Sequence, residues 1–186
     1  MKYINKIVLI VVILIVPTMS FGQYCNHYHD KYCAPSENEI FKLNGQSKSA
    51  LFSKGQTSEL SILVYKKLDY RISLCMDENL GSQVGFKIYE MKKVRVEKVV
   101  KDNTVIVIEK QKELLYDNSE DGYANEIEFS VEKSRRLVVE ISIPGDGGGS
   151  STKKKSKLLK SSDMGCVGIL VEHMTTPKTG FYGTGF

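Results

Sequence analysis

The feature that most narrows the folds open to this chain is an apolar repeat of two residues. It runs through Leu60, Ile62 and Val64 in "TSELSILVY", Tyr70, Ile72 and Leu74 in "DYRISLCMD", and Ile127, Phe129 and Val131 in "NEIEFSVEK". Leu137, Val139, Ile141 and Ile143 in "RLVVEISIP" repeat it, and Val167, Ile169 and Val171 in "CVGILVEH" supply a last strand. Successive side chains of a strand point to opposite faces, so each stretch presents one apolar and one wet face. Such strands are buried when two sheets stack or one closes on itself. The expected fold is therefore all-β, a jelly-roll-like sandwich over residues 46–175. "YKKLD" and "EKSRR" are short enough to be hairpin connections.

Two stretches break the repeat. Around Lys101 to Thr104, two charged and β-branched runs read as a long hairpin whose arm, residues 91–111, protrudes from the sandwich. Unpaired strand edges at Val99, Val105 and Val107 would suit strand addition by a partner. Residues 144–163, rich in Gly, Ser and Lys, read as a flexible basic loop. Its Lys153, Lys154, Lys155, Lys157 and Lys160 either stay solvated or meet a polysaccharide or an anionic membrane surface. Residues 176–186 form a Gly-rich tail in which Phe181, Tyr182 and Phe186 are further candidates for partner binding. Near the other end, "APSENEIFK" places Glu39 three residues after Ser36, the spacing of a capping box, and predicts one short helix within an N-terminal segment at 23–45.

The first 22 residues read as a signal peptide. Lys2 and Lys6 precede an unbroken apolar run from Ile7 to Val16, and Ser20 and Gly22 place small residues at a cleavage site before Gln23. That run is half the roughly 20 residues a membrane span requires. "FGQYC" lacks the pattern of a lipobox before Cys25. The expectation is export to the periplasm, the outer membrane or the exterior. Removing Lys2 and Lys6 lowers the formal charge from +4 to +2, too little for a nucleic-acid footprint.

Four cysteines in a small exported chain make disulfides the default in an oxidising compartment. Cys75 and Cys166 both lie on the outward parity of their strands, which favours a bond between them and leaves Cys25 to Cys33. The competing use of "QYCNHYHDKYC" is a metal site built from Cys25, His27, His29 and Cys33, whose spacing departs from that of common structural zinc sites. His173 is expected at a strand end. Asp77, Glu78, Asp117, Asn118, Glu120 and Asp121 fall in two apparent loops of the oxygen-rich kind that calcium uses, without the spacing of an EF-hand. No nucleophile elbow or P-loop is present, so neither catalytic residues nor a cofactor are expected.

The stretches from "GQTSELSILVY" to "GFKIYE", with "KELLYDN", "IEFSVEKSRRLVVEISIP" and "GCVGILVEHMTTPKTGF", resemble exported, uncharacterised proteins of Bacteroidota. The strand succession is more distantly similar to bacterial pre-peptidase C-terminal domains, which are jelly-roll sandwiches. That resemblance implies the fold and carries over no catalytic or ligand residue. The function expected is non-catalytic: an envelope interaction or accessory subunit that binds other periplasmic or outer-membrane proteins. The alternatives are a glycan-binding sandwich and a periplasmic metal-binding protein that uses the Cys/His cluster.

Overall fold

A computed structural model describes residues 25–100, 103–145 and 161–177. Among the described residues, nine strands follow a five-residue helix, α1 (Tyr28–Tyr32). They are β1 (Lys42–Leu43), β2 (Lys48–Ser53), β3 (Thr57–Val64), β4 (Leu68–Met76), β5 (Gly85–Val100), β6 (Asn103–Asp117), β7 (Glu126–Ser130), β8 (Arg135–Ser142) and β9 (Met164–Thr175). One antiparallel sheet runs β2–β9–β4–β7, with β1 also on β9, and the other runs β3–β8–β5–β6. The pairs β5/β6, β4/β7, β3/β8 and β2/β9 are successive lengths of one two-stranded ribbon. Rolled so that alternate lengths fall in opposite sheets, this ribbon makes a jelly roll.

The two-residue repeat sets the core. Ile62, Val64, Tyr70, Ile72, Leu137, Val139, Ile141, Val167 and Val171 are all buried between the sheets, together with Phe86 and Leu80. "YKKLD" and "EKSRR" are not hairpin connections, because β3 and β4 belong to different sheets, as do β7 and β8. They are arches across the same end of the sandwich. The Lys67 N–H donates to the Val131 carbonyl, and the Val131 N–H donates to the Leu68 carbonyl. Two arches thereby satisfy each other's backbone at the end of the β4–β7 ladder.

The segment from Cys25 to Ser36 is a strap over the outer face of the β9–β4 sheet. The sequence places a helix after Ser36, but the structure has its helix earlier, at Tyr28–Tyr32. Around Ser36 the side chains close tight turns instead: the Asn38 N–H donates to Ser36 Oγ, and the Ile40 N–H to Asn38 Oδ1. These local bonds compete with a helical ladder, a habit of Ser and Asn.

The disulfides pair Cys25 with Cys166 and Cys33 with Cys75, at Cα separations of 5.3 and 5.1 Å. The bond expected between Cys75 and Cys166 is absent, although their strands do neighbour each other. Register explains why: Cys75 faces Gly168, so Cys166 lies one strand across and two residues along, about 8 Å away and outside disulfide range. Gly168 also makes the strap's close approach feasible. A Cβ there would meet the sulfurs of Cys33 and Cys75 at 2.8 Å and the His29 Cα at 2.9 Å.

Candidate functional site

Strand β5 pairs with β8 only from Gly85 to Glu90. From Met91 to Val100 its described partner is β6 alone, in register from Met91↔Lys112 to Val100↔Asn103. Ten residues of strand extend about 33 Å. The closing hairpin of the ribbon is therefore an arm that projects beyond the second sheet, with no described strand along either outer edge.

The register sorts the arm's side chains onto two faces. Val96 opposes Val107 and Lys98 opposes Val105, so Val94, Val96, Val105 and Val107 line one face as a β-branched strip. On the other, Lys93 opposes Lys110, Arg95 opposes Ile108 and Glu97 opposes Ile106. Ile106 and Ile108 are 66% and 65% exposed. Val105 is exposed and Val107 half-buried, while Val99 pairs through its backbone with Thr104. Sequence reasoning missed Ile106 and Ile108, because "TVIVIEK" is apolar at both parities and the ladder alone assigns them a face.

Charge on the arm is uneven. Lys92 pairs with Glu113, and Lys98 with Glu109 at 2.5 Å. Among the described residues, Lys93, Arg95 and Lys110 enter no ion pair. Between Met91 and Gln111 six cations face three anions. Like charges directly opposite each other, as at Lys93 and Lys110, destabilise a strand pair, and an acidic neighbour would relieve them.

The remaining candidates are used in other ways. Cys25 and Cys33 are oxidised to different partners, so the proposed Cys2His2 donor set does not exist. His27 Nδ1 lies 3.0 Å from an Asp30 oxygen, and His29 Nδ1 lies 2.6 Å from Ser49 Oγ. His173 sits near the end of β9, where Nδ1 is 3.3 Å from the Asn44 amide nitrogen. Phe181, Tyr182 and Phe186 lie outside the described residues, as do Lys153, Lys154, Lys155, Lys157, Lys160 and the leader. Among the described residues, no helix is long and apolar enough to cross a membrane, and no three His, Cys, Asp or Glu side chains gather as a metal site.

The two acidic loops are 3-10 turns, Glu78–Leu80 and Asn118–Asp121. Asp77 accepts the Cys166 N–H. Buried Asn118 bonds the Phe86 N–H and the Val84 and Ala124 carbonyls. The Lys87 ammonium at 2.6 Å, with the Ser119 hydroxyl and N–H, holds the Asp117 carboxyl down at about 2. A lowered folded-state pKa stabilises the protein above the ordinary carboxylate value and stops doing so as pH falls through the lowered one. Asp117→Asn is therefore expected to cost about 1 kcal/mol at neutral pH, an amount reduced by Lys87's partial exposure. Urea unfolding should show the gap to wild type closing as pH drops from about 4 to 2.

No protein-family model matches the chain, and no curated protein matches it either. The two disulfides fit an oxidising, exported environment.

Proposed function

We propose that this is an exported, non-catalytic interaction protein of the bacterial envelope, in the periplasm or on the outer membrane, whose arm recruits another envelope protein by strand addition. The observation that carries this reading is the arm itself: a two-stranded ribbon beyond the sandwich, with no described strand along its outer edges and with Ile106 and Ile108 two-thirds exposed. An isolated hairpin is marginal in water, and proteins ordinarily shorten or cover such edges. A partner strand supplies the missing backbone bonds, and alternate side chains set its identity. The unpaired Lys93, Arg95 and Lys110 favour an acidic strand.

The test replaces residues 92–111 with an Asn-Gly turn that joins the ladder partners Met91 and Lys112. Expected are an unchanged melting temperature of the sandwich, loss of one or more envelope proteins that co-purify with the full chain, and weaker capture as salt rises. An identical set of partners from the two proteins would refute the reading.

A further inference from the structure

Among the described residues, the core of the sandwich is incomplete where the edges of β6 and β7 meet. Tyr116, Ile127 and Phe129 face inward yet stay half-buried, and Leu115 is 43% exposed. With Leu137 and Arg135 they wall a cleft of about 160 Å³, and an apolar cavity of about 150 Å³ holds one benzene ring. A bulge shapes the mouth of the cleft: Ile88 faces Tyr116 and Tyr89 faces Leu114, so Leu115 is the extra residue. Arg135 adds a polar requirement, because its Nε is buried without a hydrogen-bond partner among the described residues while Nη1 is held by Glu90 at 2.7 Å. The cleft therefore suits one apolar ring that carries a hydrogen-bond acceptor, as a phenol does.

The position of the cleft ties it to the arm. No described strand lies along the outer edge of β6 or of β7, and β6 runs on from Tyr116 and Leu115 into the arm. A strand added to β6 would lie about 4.8 Å beyond it, whereas stacked sheets are about 10 Å apart. Its inward side chains would therefore hang over the gap between β6 and β7, where the cleft opens. The bulge fixes which of them does so. Lys110, Lys112 and Leu114 share the outer face with Lys93, Met91 and Tyr89, and the extra residue returns Tyr116 to the inner face. With Leu115 and Tyr116 together opposing one residue, a partner side chain opposite Lys110 points outward, and the one five positions along points inward over the cleft. We propose that the cleft is the anchor pocket for the strand that the arm recruits, a strand with an acidic side chain opposite Lys110 and, five positions on, a tyrosine whose hydroxyl accepts from Arg135 Nε. This inference rests on the reading that the arm binds by strand addition, and it names the side chains the partner must carry.

The test titrates the oxidised full chain with a synthetic Ser/Thr peptide that has a central Asp and a Tyr five positions to either side, which serves both strand directions. The control peptide carries Ala in place of each Tyr. Methyl NMR of Leu115, Ile127 and Leu137 reads the cleft, and that of Ile106 and Ile108 reads the arm. The Tyr peptide is expected to move both sets of resonances and to bind about tenfold more tightly than the control, the effect of burying one ring. Leu115→Trp, which puts a ring of the protein's own at the mouth of the cleft, should erase that difference. Arm resonances that move while those of the cleft stay in place, or equal affinities for the two peptides, would overturn the anchor pocket and leave strand addition standing. Movement confined to the cleft would instead overturn the arm reading on which the proposal rests, and movement of neither set would overturn both.

Discussion

Replacing Arg71 with leucine should lower the unfolding free energy by about 3–5 kcal/mol, the usual cost of leaving a buried charge without its partner. Arg71 lies on the outer face of β4, directly opposite Glu172 on β9, and both side chains are closed off from water under the strap. Its guanidinium holds Glu172 at 2.5 Å, pairs with Glu126 and reaches the Ala34 carbonyl. Burial works against the Arg71 charge, and the Glu172 and Glu126 carboxylates outweigh it, raising the guanidinium's pKa above its usual value. Without Arg71, the Glu172 carboxylate keeps, among the described residues, only the Ser36 N–H as a partner. The Arg71→Leu/Glu172→Leu double variant should recover most of the loss, because an apolar pair of similar volume avoids burying ions. Urea denaturation of the two variants provides the measurement. An Arg71→Leu protein as stable as wild type would mean that the strap does not keep water from Glu172.

Removing the Cys25–Cys166 bond by alanine at both positions should cost on the order of 5 kcal/mol by loop entropy, and removing Cys33–Cys75 about 4 kcal/mol. The difference comes from the chain closed in each case, with sequence separations of 141 and 42 residues. Measured losses for native disulfides span about 2–5 kcal/mol. The shorter loop lies inside the longer one, so the two costs should not add. Thermal unfolding with and without reductant reads the loss. Non-reducing peptide mapping should find the Cys25 peptide joined to that of Cys166; a peptide joining Cys25 to Cys33 would contradict the fold of the strap.

The sandwich was largely legible in the sequence, because alternation depends only on which face of a strand meets water. Val64, Ile72, Val139 and Val171 are core residues for that reason. What alternation cannot specify is register. It places Cys75 and Cys166 correctly on one outward face of adjacent strands, yet the offset by Gly168 decides against a bond between them. Nor does it choose between an arch and a hairpin, since "YKKLD" and "EKSRR" have turn-like lengths in either case. Strand β2 carries no two-residue apolar repeat, because "KSALFS" buries little beyond Phe52. The path of the strap is set by the sheet beneath it rather than by its own propensities. For that reason the capping-box spacing at Ser36 misled, and the helix formed earlier, at Tyr28.

On the arm, the charged and β-branched composition announced a protruding ribbon, but only the ladder shows where support from β8 stops. The face carrying Ile106 and Ile108 follows from that ladder and not from composition.

The nesting of the two sulfur bridges has a consequence for biogenesis. A polypeptide emerging from its amino end presents Cys25 and Cys33 long before Cys166 has been synthesised. An oxidase acting on thiols in order of appearance would join the first to the second and the third to the fourth, and both bonds would be non-native. Reaching the native pattern thus requires either that oxidation wait until β9 has taken its place beside β4, or that an isomerase reshuffle the early products.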